Sequence, residues 1–188
     1  LRMRLLNAAN ARTFTFAFDD QRDFALVASD GGFLETPYQC RSVVLAPSER
    51  AEIVVEITDQ RPFKLISLPL DSNSPFAMRG MMGRMHGGNE SRFDILSIEP
   101  EFNLEDSPAI PAVLSQIPRM DPNDAVITRR LELTMAMGMG MMRGRRQGSN
   151  SSFFINGQAM DMDRIDYRVK KGTTEIWEVV NDTMMMHP

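Results

Sequence analysis

The end of the chain sets the chemical question. Met184, Met185, Met186, His187 and Pro188 follow directly on a strand-like run that holds the only tryptophan, Trp177. The chain carries 16 methionines against two histidines. Thioether sulfur is a soft ligand and selects soft metals, above all Cu(I), while imidazole also suits copper. A histidine at a strand end, held by the proline after it, is placed as a ligand would be. One imidazole does not complete a metal site. His187 therefore reads as the first piece of a centre whose other ligands lie elsewhere, in a larger protein.

Two further methionine groups carry the same character. Met135, Met137, Met139, Met141 and Met142 are separated largely by alanine and glycine and run into Arg143-Gly144-Arg145-Arg146. Methionine can fill irregular core gaps, but core methionines keep company with Leu, Ile and Val rather than with glycine and arginine. A soft-metal or partner-facing surface is the better reading. Met78, Met81, Met82, Met85 and His86 form a second group on a glycine-rich loop. That group either wraps Cu(I) or is a low-complexity loop.

These residues need strands to hold them. Phe14, Phe16 and Phe18 recur at period two, the mark of a half-buried strand. Strand patterns also cover 1–7, 24–28, 42–45, 52–57, 63–68 and 93–98, with Asp30-Gly31-Gly32 as a turn. Strands at this spacing favour a β-sandwich or barrel. Prolines and glycines break the pattern between Pro69 and Asn89, giving a long loop. A second break, from Glu99 to Asp124, holds Pro100, Pro108, Pro111, Pro118 and Pro122, with at most one helical turn near 113–116. This is the candidate interdomain connection. Strand signal returns at 126–135, 152–155, 166–169 and 175–180.

Composition excludes several classes. The net charge is −4 and both signs are interspersed, which gives no electrostatic case for nucleic acid. No stretch reaches the roughly 18 consecutive apolar residues of a membrane-spanning helix. Cys40 is the single cysteine, so no internal disulfide is possible. It lacks neighbouring histidines and reads as a partly buried packing residue. Asp30, Glu49 and Arg50 read as scaffold: Asp30 ordering its turn, Glu49 or Arg50 pairing across a strand end.

Five stretches, in order, carry a family resemblance: Leu5-Leu6-Asn7-Ala8-Ala9-Asn10-Ala11-Arg12; Ala28-Ser29-Asp30-Gly31-Gly32-Phe33-Leu34; Leu45-Ala46-Pro47-Ser48-Glu49-Arg50; Phe154-Ile155-Asn156-Gly157-Gln158-Ala159-Met160-Asp161-Met162; and Trp177-Glu178-Val179-Val180-Asn181-Asp182 leading to Met185-Met186-His187-Pro188. Across them the chain resembles the multicopper oxidases, and among these the bacterial periplasmic copper-efflux (cuprous) oxidases. The resemblance implies an all-β fold of cupredoxin-like Greek-key β-sandwiches. Residues 1–105 would be the second domain without its first strands, 106–125 a linker, and 126–188 the opening of a truncated third domain. The first domain and the rest of the third would lie outside this chain.

The resemblance also implies a function: oxidation of Cu(I) or another one-electron donor at a type 1 copper, and reduction of O2 to water at a trinuclear copper cluster of types 2 and 3. His187 matches a type 1 copper ligand. Met135 and Met185 match the positions that bind substrate Cu(I), and Met139, Met141 and Met142 lie on the segment that gathers copper over that site. The relatives add carboxylates at positions matching Gly140 and Thr183, and Asp182 is the nearest substitute. The fragment alone is expected to be inactive. The competing readings are a laccase-type oxidase of small phenols and a copper-free structural protein of bacterial cell division. Relatives of the copper-efflux type are exported to the periplasm.

Overall fold

The computed structural model describes residues 1–10, 12–69, 91–135 and 153–183. Among them are eleven strands, no α-helix and one 3-10 turn at Pro122–Asp124. The chain divides into two compact units, Leu1–Ile117 and Pro118–His187.

The first unit holds eight strands: β1 (Arg2–Leu6), β2 (Phe14–Phe18), β3 (Phe24–Ser29), β4 (Gly32–Cys40), β5 (Ser42–Leu45), β6 (Arg50–Val54), β7 (Phe63–Leu68) and β8 (Phe93–Ile98). They form two four-stranded sheets, ordered β1-β6-β3-β4 and β5-β2-β7-β8. Every pairing in them is antiparallel. One core joins the two sheets: Leu5, Phe24, Ala51 and Ile53 meet Phe16, Phe18, Leu45, Phe63 and Leu65. This is a cupredoxin-like β-sandwich. Phe18 stands edge-on to Phe24 at 5.6 Å and to Phe63 at 5.4 Å. Each such pair adds about 0.5–1.5 kcal/mol beyond the area it buries. At the end of β2, Ala17 is buried as fully as its aromatic neighbours, so that strand faces protein on both sides.

Asn7 fastens the end of β1. It is 1% exposed. Its Nδ2 donates to the carbonyls of Arg12 (2.8 Å) and Leu45 (2.9 Å), and its Oδ1 accepts from the Ala9 N–H at 3.0 Å. A buried amide is tolerable only with its bonds made, and here they tie the turn after β1 to the end of β5.

One strand was not expected and two expectations need correction. β4 carries no clear alternation and holds Pro37, yet it is a strand, because it lies at a sheet edge where proline costs no ladder bond. The register of β3 with β4 skips from Leu26–Tyr38 to Ala28–Phe33, which leaves 34–37 unpaired by β3. The stretch 113–116 is not helical. It runs along this bulged edge, with the Leu114 N–H donating to Glu35 O at 2.9 Å. Ser115 Oγ donates to Leu34 O (3.0 Å) and Phe33 O (3.2 Å). The expected strand at 166–169 does not form; Tyr167 is held by side-chain contacts instead, described below.

The second unit contains β9 (Ala125–Met135), β10 (Phe153–Ile155) and β11 (Thr174–Asp182) in one sheet ordered β10-β9-β11. β10 runs antiparallel to β9 and β11 parallel to it. Three strands present too few facing side chains to enclose a core. Leu131 is the buried hydrophobic residue of this unit among the described ones, while Val126, Phe153, Trp177 and Val179 remain exposed.

Candidate metal centre

Parallel pairing of β9 and β11 decides what can meet. Asp182 lies beside Thr134, and Asn181 beside Leu133. Met135 and Thr183 are the next residues along, so both strands end at the same rim of the sheet. Neighbouring strands lie about 4.8 Å apart. On the other side of β9, Phe153 pairs with Met135. Met135 and Phe153, the described residues on either side of 136–152, thus stand together at this rim. Of the expected site residues, Met135 and Asp182 both stand at this rim, but Asp182 shares a face of the sheet with its partner Thr134, and Met135, one residue on, lies on the opposite face. His187, Met185, Met139, Met141 and Met142 lie outside the described residues, as does the Met78–His86 group. Among the described residues, no group of three or more His, Cys, Asp or Glu could hold a metal ion. The donor set as a whole, thioethers with one imidazole, suits copper.

Two side-chain assemblies, both away from the rim, fasten β9 to what flanks it, and sequence reasoning gave neither a role. The first is Asn156. Asn156 and Gly157 both have positive φ, 50° and 73°, the requirement of a two-residue type I′ turn. Ile155 and Gln158 exchange backbone bonds across it, both at 3.0 Å. The Asn156 side chain then reaches β9: Oδ1 accepts from the Glu132 N–H (2.7 Å), and Nδ2 donates to Arg130 O (3.0 Å) and to the Tyr167 hydroxyl oxygen (2.7 Å). The Asn-Gly pair was the available signal.

The second assembly ties β9 to β11. Arg129 donates from Nε to Glu175 Oε2 at 2.7 Å and from its terminal nitrogen to Oε1 at 3.0 Å. The Trp177 indole N–H donates to the same carboxylate at 3.0 Å. The Tyr167 ring packs 5.8 Å from Trp177 and beneath the Arg129 guanidinium. Hydrogen bonds from Arg129 hold the Glu175 carboxyl below its usual range; burial opposes them and Trp177 adds to them.

The remaining candidates sit in the first unit. Asp30 Oδ1 accepts from the Arg50 N–H at 3.0 Å and pairs with the Arg50 guanidinium at 2.9 Å. Glu49 Oε2 accepts from the Ala46 N–H at 2.6 Å, closing the turn between β5 and β6. Cys40 is half-buried against the core, and burial pushes its thiol pKa up.

Models of multicopper oxidase domains match residues 1–77 and 130–188. The chain belongs to the multicopper oxidase family. Multicopper oxidase LPR1 of Arabidopsis thaliana is 30% identical over 187 residues, covering 100% of this chain and 30% of the relative. Cell division protein FtsP of Rahnella sp. is 30% identical over 182 residues, covering 97% of this chain and 35% of that protein. A solved laccase-like multicopper oxidase, CueO of Ochrobactrum sp., superposes with a TM-score of 0.73 at 27% identity, covering 96% of this chain and 38% of the other. The chain thus spans about a third of the length of these relatives. Family members differ in what their names record, oxidase in two cases and cell division in one. Membership gives the fold and implies copper as the family's cofactor.

Proposed function

We propose that this chain forms the second domain and the opening of the third in an oxidase whose electron donor is Cu(I). When bound, the type 1 and trinuclear coppers supply one-electron transfer and the reduction of O2 to water. Met135 and Met185 hold substrate Cu(I) through their thioethers, which need no charge to bind a soft ion. Asp182, three residues before Met185 in the chain, is the carboxylate this reading assigns to the pair, although at β11 it shares a sheet face with Thr134 and not with Met135. His187 ligates the type 1 copper, two residues along from Met185, so electrons have a short path. Met139, Met141 and Met142 gather Cu(I) toward the site. Export to the bacterial periplasm goes with this reading.

The observation that carries the proposal is the shared rim: parallel pairing aligns Met135 with the residue after Asp182, next to the start of the Met184–His187 run. The test is O2 uptake by the copper-loaded full-length protein with Cu(I) or a phenol as donor. Met135→Leu and Met185→Leu are expected to slow cuprous oxidation and leave phenol oxidation near the parental rate. Unchanged cuprous oxidation in both variants would overturn the site.

A second reading draws on the FtsP relatives, which match nearly the whole chain at 30% identity. In it the fold serves cell division and no copper is required. A full-length protein purified from its natural source without bound copper, and unable to take it up, would favour that reading. A third, phenol oxidation, draws on the CueO relative, described as acting on lignin model compounds. The same O2-uptake assay separates it from the first.

A further inference from the structure

β4 closes one side of its sheet, and at nine residues it is the longest edge strand of the first unit. Its pairing with β3 is interrupted over 34–37. An edge of this kind presents unpaired backbone groups and is a template for strand addition by another chain. Here the stretch 113–116 lies against it. The Leu114 N–H donates to Glu35 O at 2.9 Å, and the Ser115 hydroxyl lies 3.0 Å from Leu34 O and 3.2 Å from Phe33 O. Leu114 and Ser115 are half-buried, while Val113 and Gln116 on either side are exposed. The stretch makes these contacts without itself joining a ladder. Pro111 and Pro118, which flank it, carry no N–H. A true added strand would only move the bare edge outward. This strap covers three acceptors and offers little backbone of its own for a further chain to pair with.

We propose that 113–116 is a guard strap, which keeps the β4 edge from pairing with a second copy of this chain. Lifted off, it leaves the carbonyls of Phe33, Leu34 and Glu35 without these donors, on a strand that also exposes the rings of Phe33 and Tyr38. Two copies of β4 can then meet edge to edge about a two-fold axis, a contact that needs no second complementary surface. The sequence places the strap in the connection between the two units, so the segment that joins them also shields the edge of the first. The role is independent of copper and of the electron donor.

The test is light scattering behind size-exclusion chromatography on the full-length protein over a range of concentrations, with the thermal unfolding midpoint recorded beside it. Leu114→Pro combined with Ser115→Ala removes both donors, and neither residue belongs to the core cluster. The weight-average mass of this variant is expected to rise above the parental value as concentration increases, at a near-parental midpoint. Thr36 is exposed on β4 beside the capped carbonyls. Adding Thr36→Lys is expected to bring the mass back to the parental value, since a charge on an edge strand opposes pairing. Parental mass at every concentration in the strap variant overturns the proposal. So does a raised mass that Thr36→Lys leaves unchanged, because the association then runs through another surface. Should the double variant fail to fold, Ser115→Ala alone carries the test, with the same outcomes deciding it.

Discussion

Glu175 and Arg129 meet across the parallel strands β9 and β11 in a forked pair, with Nε 2.7 Å from one carboxylate oxygen and the terminal nitrogen 3.0 Å from the other. The Glu175 side chain is 6% exposed, although the sheet around it is open. This pair and the Trp177 N–H give the second unit its one well-screened polar cluster among the described residues.

That cluster should make acid stability depend on Glu175. Its carboxyl lies below the ordinary range when folded, so the unfolded chain binds the proton more readily. The stabilisation is present above the unfolded pKa of about 4.3 and is lost as pH falls through the folded value. Glu175→Gln should lower stability at neutral pH and flatten the loss of stability in acid. Unfolding midpoints by circular dichroism between neutral pH and pH ~3 check this. Parallel curves for the two proteins would contradict it.

The rim predicts a graded response to thioether loss. Groups one step from a metal typically change its affinity roughly 10- to 100-fold, so removing a direct ligand, the role proposed for Met135, should cost at least as much. Met135→Leu keeps volume and apolarity and removes only the sulfur. Cu(I) affinity should fall by at least roughly tenfold with little change in unfolding midpoint.

Core truncation should be felt strongly in the first unit. Phe18 is 1% exposed and packs edge-on against Phe24 and Phe63. Phe18→Ala leaves a cavity between the two sheets and should cost about 3–5 kcal/mol. Urea unfolding measures this, with a lower midpoint at an unchanged slope.

Cys40 should be chemically quiet. Burial raises its thiol pKa, and the thiolate is the reactive form. Labelling by a thiol reagent at neutral pH should be slow in the folded protein, quicken as pH rises, and become fast on unfolding. Cys40→Ser should leave the unfolding free energy within about 1 kcal/mol of the parent, since the side chain keeps its size.

How much was legible in sequence varied with the physics of each segment. Phe14, Phe16 and Phe18 announced β2 because one sheet face must be apolar at period two. β4 was hidden because Pro37 reads as a breaker, and only its place at a sheet edge makes proline harmless there. The stretch 166–169 alternates like a strand, but Tyr167 finds the Asn156 amide and the Trp177 ring instead of a ladder. At the site, residue types alone carry the copper reading, since thioether clusters are rare. Neighbourhood was not readable: that Met135 lies level with Thr183 is a fact of parallel register. Asn156 was unassigned for the same reason, because its partners are defined by backbone geometry and not by residue type.

Because Met135 and Phe153 are themselves a paired couple on β9 and β10, the stretch between them is closed at its base whatever its length. Doubling such a stretch adds only about 0.6 kcal/mol of closure entropy. The sheet is thus insulated from insertions and deletions there. Evolution can lengthen, shorten or re-compose that stretch without re-registering a single strand, so this rim is where members of one family can diverge while keeping one frame.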